Sequence, residues 1–204
     1  MIIVPSAYLA PVSYYALLLA HGREVCIEQW EYYVKQTLRN RAYIATEAGR
    51  MALTIPVEHN GGKKQLMRDV RISDHGNWRH LHWQALKAAY DSSPFFEFYA
   101  DEFALFYEGK PTVFLQDFCL QLQQLVCELL NLDYEPQLTD TYLPEGDFLD
   151  LRSEPDYKPA VSSVPYYQVF ASRHGFMADL SIADLLFNMG PEGLLVLRDM
   201  TKQA

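Results

Sequence analysis

Apolar residues follow two different rhythms along this chain, a short-run pattern in the first third and a helical one beyond residue 77. Residues 1–4 form an apolar run stopped by Pro5, and residues 14–20 carry helical spacing, which predicts a strand, a loop and a helix. His21-Gly22 closes that helix, since glycine tolerates the left-handed backbone a helix end needs. Residues 24–28 then alternate as a strand does, completing a βαβ start. Residues 42–46 and 51–57 read as strands around the turn signal Glu47-Ala48-Gly49, and 70–72 as a further short strand after a polar loop at 60–64. From Asn77, a candidate cap, the spacing changes. Trp78, Leu81, His82, Ala85 and Ala89 recur at intervals of three and four on one helix face, and Ser92-Ser93-Pro94 ends the pattern. Residues 95–107 are aromatic and amphipathic, and 113–132 give the longest helix, with Phe114, Leu115, Phe118, Leu122, Leu125, Val126, Leu129 and Leu130 as its buried stripe. Residues 133–165 hold five prolines among acidic residues and read as extended loop, with a strand candidate at 137–142. Ser181-Ile182-Ala183-Asp184 matches a capping box, Gly190 ends that helix, and Pro191 opens the next, to about residue 201. The expected architecture is therefore α/β: a single domain over 1–204 with a mixed sheet built mainly from the N-terminal third, packed with helices from residues 77–131 and 181–201.

Charge adds a polarity that the element pattern does not show. The net charge of −9 conceals ten basic and four acidic residues over 35–87, against two basic and fifteen acidic over 91–157. An acidic chain has no general attraction to phosphate backbones, so no nucleic-acid partner is expected, and any anion site belongs in the first half. The alternative is that the two charged stretches serve solubility or pair with each other. Cys26, Cys119 and Cys127 are odd in number and without CxxC spacing, which argues for core thiols in a reducing, cytoplasmic setting rather than disulfides or zinc. The uncharged first twenty residues lack a basic leader and are interrupted by Pro5 and Pro11, so neither an export signal nor a membrane span is expected.

Two stretches resemble the WbqC-like proteins, a bacterial family. The first begins Glu31-Tyr32-Tyr33-Val34-Lys35-Gln36-Thr37-Leu38-Arg39-Asn40-Arg41 and continues through Leu53-Thr54-Ile55-Pro56-Val57 and Trp78-Arg79-His80-Leu81-His82-Trp83 to Ser93-Pro94-Phe95-Phe96. The second is Tyr166-Tyr167-Gln168-Val169-Phe170, then Gly175-Phe176, then the run from Leu180 to Gly190. The resemblance implies a setting in surface polysaccharide biosynthesis and transfer of a glycine-type or other acyl group onto a sugar. It supplies no catalytic residues. Longer members carry a Gly- and Tyr-containing segment before the terminal motif, where this chain has only the short Pro-rich stretch 144–165.

Candidate chemistry comes from side chains alone. GxSxG, GxxxxGK[ST] and GxGxxG are all missing, and Gly61-Gly62-Lys63-Lys64 reads as a turn. His80 and His82 lie about 200° apart on a helix, so they cannot share a metal ion, and neither a metal nor a cofactor is expected. His82 shares a face with Trp78 and is a candidate general base, against the alternative of a hydrogen-bonded core histidine. Lys35 and Arg39 lie one turn apart if their segment is helical; if it is extended, Lys35, Arg39 and Arg41 share a side. Either arrangement suits an anionic donor, since guanidinium binds phosphate or carboxylate bidentately. Tyr8 follows the first strand, where open α/β sheets place ligands, and with Trp78 is a candidate wall for a sugar-like acceptor. The reading to test is an acyl or aminoacyl transferase with Lys35, Arg39 and Arg41 on the donor, His82 taking the amine proton, and all of them meeting in one cavity. Its rival is a non-catalytic ligand-binding or scaffold protein.

Overall fold

The two most apolar short runs pair with each other and organise the molecule. In the computed structural model, which describes residues 1–144, 146–152 and 163–202, β1 (Ile2–Pro5) and β2 (Val25–Glu28) run parallel, Ile2 opposite Val25 and Pro5 opposite Glu28. Helix α1 (Val12–His21) connects them, and Gly22, at φ 49°, returns its N–H to the Leu18 carbonyl as the sequence predicts. All four residues of β1 are buried. A strand inside a parallel sheet is covered on both faces, which is why it reads as a continuous apolar run. A separate hairpin follows. In it β3 (Arg41–Thr46) and β4 (Gly49–Thr54) pair antiparallel, with Thr46 opposite Gly49 and Glu47-Ala48 as the turn.

Three helices, α2 (Trp78–Tyr90), α3 (Phe96–Glu108) and α4 (Leu115–Leu129), form the middle of the chain. Two strands of two residues each, β5 (Gln137–Leu138) and β6 (Leu149–Asp150), then join the parallel sheet in the order β5-β2-β1-β6. The short α5 (Ala171–His174) precedes α6 (Ile182–Met189) and α7 (Gly193–Thr201). Seven consecutive residues of α6 are buried, from Ile182 to Asn188, and Phe187 packs against Tyr90, Phe96 and Phe103 with ring centroids 4.9–5.3 Å apart. Gly190 ends α6 at φ 54° with the Phe95 ring so close that an added Cβ would meet it at 2.4 Å.

The α/β class expected from the sequence is present, with its parallel and antiparallel pairings divided between two sheets. The outer strands β5 and β6 come from the stretch read as mostly loop, of which residues 145 and 153–162 lie outside the described residues. Residues 70–72 are not a strand: Ile72 and Arg71 make isolated bridges to Val57 and Phe114. Asn77 offers no side-chain cap; it sits at φ 48° at the end of a tight turn through Gly76. Leu81 is 60% exposed, because it lies at the margin of its stripe, about 60° round the helix from Trp78. The capping box is half formed. Ser181 accepts from the Ala183 N–H, while the Asp184 side chain turns inward to other partners.

Candidate functional site

The parallel sheet creates a crevice at its carboxyl edge. The chain passes from β1 to β2 on one side and later returns to β6 on the other, and such a switch of direction is where open α/β sheets bind ligands. A cleft of about 750 Å³ lies there. Trp30 and Glu31 enter it just after β2, Asp150 and Arg152 at the end of β6, and Arg39 from the turn before β3; Tyr32, Val34, Leu66 and Tyr142 complete the lining.

Its polar side is a linked set of ion pairs. Arg39 Nε and Nη2 donate to the two oxygens of Glu31 at 2.8 and 2.5 Å, and Nη2 also to the Arg152 carbonyl. Arg152 in turn donates from Nε and Nη2 to Asp150 at 2.9 and 2.5 Å and from Nη1 to Glu28 at 3.1 Å. Glu28, fully buried, also receives the Trp30 and Leu143 N–H groups and the Thr139 hydroxyl. The two lining carboxyls are driven apart in acidity. Burial pushes Glu31 above its ordinary value against the pull of Arg39, whereas the hydrogen bonds from Arg152 hold Asp150 below its own. Such a split marks the acid–base pairs of many active sites.

The residues singled out from the sequence fall into two groups. The segment 35–40, with Lys35 and Arg39, is neither helix nor strand but a compact turn, closed by Thr37 Oγ1 to the Val34 carbonyl and by the Asn40 and Arg41 N–H groups to the Thr37 carbonyl, and Arg41 opens β3. The three cations therefore diverge. Arg39 turns into the cleft, Lys35 is exposed, and Arg41 lies on the hairpin with Nε 2.9 Å from Thr54 Oγ1. Among the described residues the cations of the basic stretch pair with nearby carboxylates, Arg39 with Glu31, Arg68 with Asp69, Arg71 with Glu58 and Arg79 with Asp74, and none of these pairs joins it to the acidic half.

Tyr8, Trp78 and His82 do meet, but away from the cleft lining. His82 Nδ1 is 2.9 Å from the Tyr8 hydroxyl, which is 2.8 Å from that of Tyr107; Trp78 packs edge-on against the imidazole, and the Thr54 backbone is a second partner of the ring. With His82 only 6% exposed, burial pushes its pKa down from 6.5 to about 4. It is a hydrogen-bonded core histidine, and the shared cavity expected for it and the cations is not the one the cleft residues form. Cys119 and Cys127 are also buried, with thiols pushed up to about 12, which leaves them inert as nucleophiles. Among the described residues no three or more His, Cys, Asp or Glu side chains are arranged so that they could hold a metal ion.

A pH effect follows from the imidazole. In the unfolded chain His82 takes up a proton below about pH 6.5, which the folded chain resists down to about 4. Its contribution is present above that window and lost as pH falls through it, by about 3 kcal/mol in all. Glu31, Asp179 and Asp184, pushed up by burial, give the opposite slope. Urea unfolding of wild type and His82→Phe between pH 7 and pH 4 therefore isolates the imidazole in the difference, and parallel curves would refute its burial as a neutral ring.

Most of the cleft escaped the sequence reading. Glu28 was hidden because its role depends on Arg152, more than a hundred residues away, and Glu31 because its partner Arg39, eight positions on, was read as a grip on a donor. One signal was available: Arg152 and Lys110 are the two basic residues in the acidic run 91–157, and an isolated cation amid carboxylates is a candidate hub.

Comparison with known proteins gives a family and a relative. Residues 6–151 match the model of the WbqC-like protein family. The chain is 29% identical to the uncharacterized protein Rv1507c of Mycobacterium tuberculosis, the match covering 93% of this chain and 94% of that protein. No solved structure matches.

Proposed function

The chain belongs to the WbqC-like family, and from that premise we propose that it transfers an acyl or aminoacyl group onto the amine of an amino sugar, or a similar small acceptor, held in the cleft at the sheet's carboxyl edge. The observation that carries the reading is geometric: the carboxyls of Glu31 and Asp150 line one cleft, each fixed by a guanidinium, and their opposite shifts, Glu31 raised by burial and Asp150 lowered by Arg152, accord with the roles of base and ammonium partner. Asp150 attracts the acceptor's ammonium. Glu31 takes a proton from it, the freed nitrogen lone pair forms the bond to the donor's carbonyl carbon, and as the carbonyl re-forms the leaving group departs with the electron pair of the bond it breaks and takes up the second proton of the nitrogen. Arg39 aligns the Glu31 carboxylate through two hydrogen bonds. Trp30, Tyr32 and Tyr142 offer flat apolar faces for the C–H side of a sugar ring. The family resemblance sets such an acceptor in surface polysaccharide biosynthesis, and the free cysteines suit a cytoplasmic setting.

Glu31→Gln is expected to lower transfer to glucosamine about 10²-fold, as loss of a general base does, while calorimetry still detects acceptor binding. Undiminished turnover would remove Glu31 from the mechanism. The rival, a binding protein without chemistry, draws support from Arg39 and Arg152 being already committed to carboxylates, which leaves the cleft without the donor grip read from the sequence. It predicts acceptor binding with no transfer from any thioester or aminoacyl donor.

A further inference from the structure

The cleft is electrically two-ended. Its lining sets the carboxylates of Glu31 and Asp150 against the guanidiniums of Arg39 and Arg152, and Glu28, fully buried behind Arg152, adds the one negative charge that this network carries in excess. Its rim is basic. Arg68 stacks on the lining Trp30 with its guanidinium carbon 4.2 Å from the ring centroid, and Lys64 Nζ lies 5.0 Å from the ring of the lining Tyr32. Among the described residues Lys64 has no ion pair, and that of Arg68, with Asp69, is 3.9 Å long between two solvent-exposed side chains. Nor are the two cations on a loose arm, because this segment runs along the cleft wall. The Tyr33 N–H donates to the Gln65 carbonyl, the Met67 N–H to Glu31 and the Arg68 N–H to Gln29.

We propose that the natural acceptor is a phosphorylated amino sugar, bound with its amine towards Glu31 and Asp150 and its phosphate ester between Lys64 and Arg68. This inference rests on the amino-sugar reading above and adds the anion. A neutral sugar leaves the rim cations unused, and a free anion meets a negative interior. A ligand that carries an ammonium at one end and a phosphate at the other matches both, with the ring between them on the aromatic wall. A sugar monophosphate and a nucleotide-linked sugar share this chemistry.

Calorimetry with wild type compares glucosamine, its anomeric phosphate, the N-acetylated anomeric phosphate, UDP-glucosamine and inorganic phosphate. The anomeric phosphate is expected to bind about tenfold more tightly than glucosamine at low salt, with the gap shrinking as salt is added. The Lys64→Gln, Arg68→Gln double variant, altered only at exposed positions, is expected to abolish that gap and leave glucosamine binding unchanged. Tighter binding of the nucleotide-linked sugar than of the monophosphate identifies the diester as the source of the phosphate. Equal binding of glucosamine and its phosphate, or a preference that survives the double variant, overturns the phosphate assignment while the amine site stands. Equal binding of the N-acetylated compound, or inorganic phosphate alone binding as tightly, overturns the two-ended ligand. If no sugar binds, this inference and the transfer reading fall together.

Discussion

Glu28→Gln is expected to destabilise the protein by about 3–5 kcal/mol, the range found when one partner of a buried ion pair is removed. Glu28 is fully buried and receives four hydrogen bonds, from the Trp30 and Leu143 backbone, the Thr139 hydroxyl and Arg152. An amide of the same size has one acceptor oxygen in place of two and places its own NH₂ against donors. The guanidinium of Arg152 keeps Asp150 but loses its buried partner. These contacts tie the end of β2 to the segments after β5 and β6, so the cleft loosens along with the fold, and acceptor affinity is expected to fall too. Urea unfolding monitored by tryptophan fluorescence reads the first effect and calorimetry the second. Coupling is the sharper check. If the ion pair is the cause, adding Arg152→Met should cost less in the Glu28→Gln background than alone, and simple additivity would sink the explanation.

Asp184→Asn is expected to cost about 3 kcal/mol, again from a buried acceptor turned partly into a donor. The Asp184 carboxylate, with no solvent exposure, accepts from the Tyr90 and Tyr166 hydroxyls at 2.9 and 2.7 Å and from Gln168 Nε2 at 2.8 Å. Those partners belong to the end of α2 and to the segment leading towards α5, so one side chain of α6 joins three parts of the chain. The Tyr90 hydroxyl also receives the Ala45 N–H of β3, which extends the network to the hairpin. Thermal unfolding of Asp184→Asn and Asp184→Leu separates acceptor loss from packing. A change below about 1 kcal/mol in the asparagine variant would mean that the carboxyl is held protonated and already donates a hydrogen bond.

What could be read from the sequence was local. The βαβ opening, the turn signal at Glu47-Ala48-Gly49, the Gly22 and Gly190 helix ends and the Ser181 cap each depend on residues a few positions apart, and each is present. The expectations that failed or were missed depend on distance. Asp184 fits a capping box at short range, yet its partners are 16 to 94 residues away. Lys35, Arg39 and Arg41 look like one cluster until the Thr37 turn sends them in three directions. His82 shares a helix face with Trp78, which spacing shows, but its contact with Tyr8 and its burial are decided by Tyr107 and Phe118 from other helices. β5 and β6 carry too few residues to display any periodicity; the backbone of β2 and β1 creates them by pairing.

The brevity of those two outer strands has a consequence for the protein in a crowded solution. β1 and β2, the apolar centre of the sheet, are the kind of segment that recruits other chains when its hydrogen-bonding edge is open. Here each flank is occupied by a strand of only two residues. An incoming chain thus finds too short a ladder to extend, and aggregation through the sheet is blocked by a few residues placed at its margins.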